Sequence, residues 1–244
     1  MPATSKRKPT RQRVLGVDGC RAGWIMAERI LQTGEIRAEI FPDWLSILDG
    51  PGEGARAVIV DMPIGLAEIG RRACEQEARR RLGARRASVF SSPSRPMLAF
   101  SSYAAANAFG KAQGAGLSRQ SWNIAPKIKE IDSIITPQMQ DRIGEGHPEL
   151  AFARLTGAPC RFSKKTAEGR TERRRALIAA GFDTIDLIAD DLRSRHACKT
   201  DWALDDLYDA LVLTLTGEAR LNGHAWRLGD SARDLRGLKM EIWA

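Results

Sequence analysis

Apolar and polar positions follow two different periods along this chain, and the switch between them maps its elements. Residues 13–18 (RVLGVD) and 24–31 are apolar runs joined by the glycine-bounded turn 19–23, and residues 35–41 place Ile36, Ala38 and Ile40 two apart. These segments predict three meandering strands. Asp43 then precedes Trp44, Leu45, Ile47 and Leu48, a short capped helix stopped by the glycine-rich cluster at 50–54. Residues 57–61 (AVIVD) are continuously apolar up to their last position, as expected of a strand buried on both faces, and Pro63 closes the run.

Beyond residue 69 the helical period dominates. Residues 71–86 carry seven arginines against Glu75 and Glu77, with Ala73, Ala78 and Leu82 interleaved, which predicts an arginine-rich helix. Residues 101–109 read as an alanine-rich helix, and 125–135 as another, with Ile128, Ile131 and Ile135 on one face and Pro126 in the first turn. Residues 69–137 therefore read as a helical insertion into an α/β core. A short strand over 142–145 follows, then a helix opened by His147-Pro148-Glu149 and running to 155. Lys164 and Lys165 lie in a loop before a charged helix over 171–180, and residues 182–188 lead into a further helix. The strongest helix spans 203–219, with Leu204, Leu207, Leu211 and Leu215 along one stripe, and residues 239–243 read as a closing edge strand. There is no internal repeat.

Composition narrows the classes. The 244 residues suit one large domain or two small ones; we read 1–12 as a basic disordered tail and 13–244 as one domain. With 43% hydrophobic and 28% charged residues, disorder throughout is excluded. The most apolar stretches, 57–66 and 210–215, fall short of the ~20 residues of a membrane span, and the first thirteen residues lack the apolar block of a secretory signal. No membrane partner is expected. Cys20, Cys74, Cys160 and Cys198 are scattered, with no C-x-x-C pair and only three histidines beside them. That leaves little material for a zinc site and suits a reducing cytoplasm, the expected location. Any metal would be held by oxygen. The net charge of +8 owes five of its positive charges to Lys6, Arg7, Lys8, Arg11 and Arg13, so it is only a hint of nucleic acid.

The acids are more informative. Asp18 and Asp61 each end an apolar strand, and in open α/β sheets ligands bind at the carboxyl ends of strands; taken alone, each better suits a turn cap. Asp206 and Asp209 share a helix face at i and i+3. Asp206 fits a helix start, whereas Asp209 stands inside the helix between Tyr208 and an apolar run. Glu145, between Gly144 and Gly146, follows the short strand, and equally fits a solvated loop. His147 is given no catalytic role. If Asp18, Asp61, Glu145 and Asp209 converge, two carboxylates about 4 Å apart repel by roughly 4 kcal/mol at an effective dielectric near 20. Mg²⁺ or Mn²⁺ would relieve that repulsion, and a pair of such ions could clamp the attacking and leaving oxygens of a phosphodiester.

A set of motifs occurs in a fixed order: residues 16–24 (GVDGCRAGW), 61–66 (DMPIGL), 70–74 (GRRAC), 122–124 (WNI), 127–132 (KIKEID), 145–149 (EGHPE), 164–166 (KKT) and 205–210 (DDLYDA). In these the chain resembles the domain of unknown function 429 family, whose members are expected to be RNase H-like nucleases. The resemblance runs from about residue 14 to 243. It implies an α/β RNase H-like fold with a mixed five-stranded sheet flanked by helices. It also implies metal-binding acids from the first strand, the fourth strand and the C-terminal helix, here Asp18, Asp61, Asp206 and Asp209. Arg21 and Lys165, in the same motifs, are expected to contact a phosphate of the nucleic-acid partner. The arginine helix is either a backbone-tracking surface or a solvated face, and Trp122 either stacks a base or packs under the isoleucine helix. The expected activity is metal-dependent hydrolysis of phosphodiester bonds, with DNA against RNA and the oligomeric state open. The alternatives are an actin- or sugar-kinase-like nucleotide-binding protein, and a non-catalytic binding protein of the same fold.

Overall fold

A computed structural model describes residues 11–196, 198 and 200–244; most of the basic tail read over 1–12 lies outside them. Strands β1 (Arg13–Cys20), β2 (Gly23–Ile30) and β3 (Ile36–Phe41) form the expected antiparallel meander. Asp43 caps α1 (Trp44–Asp49) by accepting from the Ser46 amide at 2.7 Å. The chain then returns as β4 (Ala57–Val60), parallel to β1, and later as β5 (Ile143–Glu145), parallel to β4. The result is a mixed five-stranded sheet in the order β3-β2-β1-β4-β5.

Between β4 and β5 the chain is helical, as expected: α2 (Ala73–Leu82), 3₁₀ turns over Gly83–Ser88 and Arg95–Ala99, α3 (Tyr103–Ala112), α4 (Arg119–Asn123) and α5 (Ala125–Ile134). Helix α5 is more than an appendage. Its Ile128 and Ile131 pack with Leu15, Val17, Trp24 and Val60 in the core that covers one face of the sheet. The other face is covered by α6 (Pro148–Thr156), α7 (Ala167–Ala179), α8 (Ile185–Arg195) and α9 (Leu204–Leu221), which bury Phe152, Leu177, Phe182 and Leu211 against Ile25 and Ala27. Strand β2 shows the period directly, with Trp24 and Met26 in the first core and Ile25 and Ala27 in the second.

The closing strand departs from expectation. Only Ile242–Trp243 (β7) is extended, and it pairs with Arg227–Leu228 (β6) in a separate two-stranded sheet. Lys239 and Met240 instead bond to the loop before β5 and to Ala232, through Gln140 Oε1 to the Lys239 amide at 2.7 Å and the Ala232 carbonyl to the Met240 amide at 2.9 Å. Lys239 itself meets Arg233 in an isolated antiparallel bridge, so the expected strand is divided between two partners.

Candidate metal centre

Asp18, Asp61 and Asp209 each offer a carboxylate oxygen, and these three oxygens lie within 4.8 Å of one another. The convergence follows from strand periodicity and one close helix approach. Val14, Gly16 and Asp18 alternate onto one face of β1, and Ala57, Ile59 and Asp61 onto the same face of its parallel neighbour. The Asp61 amide donates to the Val17 carbonyl at 2.9 Å, so the two acids leave adjacent strands side by side. Helix α9 crosses that face at Gly16, where a Cβ would overlap the Ala210 carbonyl and come within 2.7 Å of the Thr214 amide nitrogen. Leu213 and Gly217 continue the buried stripe from Asp209 at four-residue spacing, with Gly217 resting on Val14, Ala57 and Ile59. Gly16 thus seats the helix against the sheet, and Asp209 is carried to the ends of β1 and β4.

The electrostatics of the group are unbalanced. Asp18 and Asp209 are buried, at 7% and 1% exposure, and Asp61 is partly buried. Burial, reinforced by Asp209, pushes Asp61 from 3.8 up to about 8. Burial and the neighbouring Asp61 and Asp209 push Asp18 well up, and burial raises Asp209 against the pull of Lys164. Lys164 Nζ donates to Asp209 Oδ2 at 2.5 Å. Burial works to discharge this lysine, but Asp209, Asp18 and Asp61 outweigh it and hold the ammonium charged. Among the described residues the three acids therefore share one close cation, and a hard divalent ion is the species that would satisfy them.

Glu145 does not join this group, and strand period is the reason. It shares a face of β5 with Ile143, which belongs to the opposite core, while Gly144 and Gly146 face Ile59 and Leu213. There Arg72 grips Glu145 through both terminal nitrogens, at 2.6 and 2.8 Å, and the Ile64 amide donates to it at 2.8 Å. The expectation that Glu145 ligates the metal gives way to a buried salt bridge. Asp206 is likewise turned aside, since its Oδ2 accepts from the Ala203 amide at 2.8 Å and closes the first turn of α9. Burial pushes it up to about 6 despite that bond. Arg21 is exposed in the β1–β2 turn. The arginine helix is mixed: Arg72 is buried, Arg79 bonds to the Val89 carbonyl and Ser91, and Arg80 and Arg81 are exposed. Trp122 is half-buried, edge-on to Tyr103 at 6.3 Å.

Beside Asp61 and Asp209 opens a cleft of about 320 Å³, walled by Arg85, Ser88, Phe90, Gln120, His147, Glu149 and residues 163–165. Both lysines of the loop line it, and it is Lys164, not the Lys165 expected to meet a phosphate, that joins the acids. The doublet gives no reason to prefer either; the loop does. Thr166 caps α7 by accepting from the Gly169 amide at 3.1 Å, and Gly169 lies so close to the Ser163 carbonyl that a Cβ would overlap it. The loop is pinned with Lys164 inward and Lys165 exposed. His147 was passed over. Burial lowers it to about 4, so it stands neutral on the cleft wall while capping α6.

Residues 16–233 match the family described as Protein of unknown function (DUF429). The chain belongs to this family. No curated protein and no solved structure gives a significant match. The family therefore fixes kinship, and the chemistry has to be argued from the site. Among the described residues no helix is long and apolar enough to cross a membrane.

Proposed function

We propose that this DUF429 protein is a divalent-metal-dependent nuclease of RNase H-like fold, and that Asp18, Asp61 and Asp209 hold its Mg²⁺ or Mn²⁺. The observation that carries the reading is the meeting of these acids at the carboxyl ends of two parallel strands, with too little positive charge to satisfy them. The sheet order β3-β2-β1-β4-β5, with a C-terminal helix laid across β1, supports the same reading.

The donor set fits the ion. Carboxylate oxygens are hard ligands, and the burial and mutual repulsion that raise their affinity for protons are the costs a divalent cation would relieve. A bound divalent ion would supply a Lewis acid for the phosphoryl oxygens and a water of lowered pKa. The chain's own groups do the rest. Lys164 steadies Asp209 and carries charge toward an incoming phosphate, with Arg85 and Lys165 on the same wall. Neutral His147, its Nδ1 accepting from the Leu150 amide, lines the cleft wall without adding charge. The substrate proposed is nucleic acid, DNA or RNA.

The test is direct. Purified protein should cleave labelled nucleic acid with Mn²⁺ or Mg²⁺, stop in EDTA, and lose cleavage in Asp18→Asn while keeping its circular-dichroism spectrum. Equal rates for wild type and Asp18→Asn would reject the proposal.

A further inference from the structure

The acid group is reached through a small, walled space, and this limits what can be cut. Asp61 and Asp209 form the floor of the cleft, and its volume of about 320 Å³ sits at the lower end of pockets that take one small ligand. One wall is the 3₁₀ segment and loop after α2, with Arg85, Ser88 and half-buried Phe90. The facing wall is the pinned loop with Lys164 and Lys165, and Gln120 of α4 reaches in from the insertion.

The lining is built for a polar anion with a planar part. Lys164, Lys165 and Arg85 bring positive charge, and Phe90 offers an aromatic ring. Glu149, at 7% exposure, holds Arg85 at 3.1 Å through the same oxygen that meets Arg173 at 2.6 Å.

Resting on the nuclease reading above, we infer that the substrate is an unpaired strand, fed into this cleft one nucleotide at a time, and not an intact duplex. Paired bases stack on both faces, so a duplex offers no ring to Phe90 without local melting. Enzymes that must reach a base inside a duplex extrude it at a cost. An unpaired strand avoids that cost, and stacking on an aromatic ring favours it.

The experiment uses the full chain with Mn²⁺ and three substrates: the p-nitrophenyl ester of thymidine 5′-monophosphate, a labelled single-stranded oligonucleotide, and the same oligonucleotide annealed to its complement. Hydrolysis of the ester and the single strand is expected, with annealing lowering the rate at least tenfold. Phe90→Ala should raise KM for the single strand about tenfold with a smaller change in kcat, and should leave the melting temperature of the Mn²⁺-bound protein within a few degrees. Cleavage of the duplex as fast as the single strand overturns this inference and leaves the nuclease reading standing. Hydrolysis of the ester with neither polymer cut also overturns it. Inertness toward all three removes the nuclease reading itself, and this inference with it.

Discussion

Two buried acid clusters lie near the carboxyl edge of the parallel strands, one beside β1 and β4 and the other at the end of β5, on opposite faces of one sheet, and they are built to opposite ends. On one face Arg72 bridges Glu145 and Glu75, which it meets at 2.6–2.8 Å, and Ser92 donates to Glu75 through its amide and hydroxyl. Burial opposes charge there too, and the guanidinium fork offsets only part of it: burial still raises Glu145 against the pull of Arg72, while Arg72 is raised by its acids over the cost of burial. On the other face Asp18, Asp61 and Asp209 share Lys164. Burial alone therefore does not mark a functional acid. What separates the two clusters is whether the protein supplies enough of its own positive charge.

The largest expected effect comes from breaking the balanced cluster. Arg72→Met leaves Glu145 and Glu75 buried without their cation, and removing one partner of a buried pair costs about 3–5 kcal/mol. The loss should appear in urea unfolding with and without Mn²⁺ alike. A loss that Mn²⁺ repaired would mean that the two faces are not separate.

Breaking the unbalanced cluster should have the opposite sign. A carboxyl group whose folded pKa exceeds its unfolded value of about 4 binds its proton more tightly when folded. Its stabilising share is complete at low pH and is lost as pH rises through the folded value, so in EDTA the wild type should weaken between pH 4 and the value of about 8 at Asp61. Asp61→Asn reduces that dependence, leaving the share of Asp18 and Asp209, and should make the metal-free protein more stable at pH 8 by roughly 1–3 kcal/mol. Mn²⁺ should raise the wild-type melting temperature and leave that of Asp61→Asn nearly unchanged. A flat pH profile for wild type in EDTA would show that the acids are already satisfied.

How much of this was legible beforehand follows the same division. The meander, the parallel return through residues 57–61 and the long C-terminal helix all stand in the hydrophobic period, because strand and helix burial write themselves into sequence. Asp18, Asp61 and Asp209 were readable as polar residues ending or interrupting apolar runs. Glu145 looked like a fourth because it too ends a strand, yet a one-residue step in a period of two turns a side chain to the other face. The run of three residues in β5 was too short to show which face that would be. Its partner was also hidden, since Arg72 lies 73 residues away in sequence. Lys164 was illegible for a different reason: its inward turn depends on the Gly169–Ser163 contact, which no periodicity records.

The lysine doublet gives the finest version of the comparison. Lys164 is a member of the buried cluster, whereas Lys165 is exposed at the rim of the cleft and its backbone amide donates to Ser163 Oγ at 3.4 Å. An exposed lysine that meets a phosphate adds a screened attraction and displaces a counterion. Lys165→Ala should therefore leave stability and kcat nearly unchanged and weaken substrate binding. It should also reduce the slope of log affinity against log salt by about one. If instead Lys165→Ala abolished turnover at saturating substrate, the rim lysine would have to reach the reacting phosphate itself. The division between a buried counter-charge and a surface contact would then have to be redrawn.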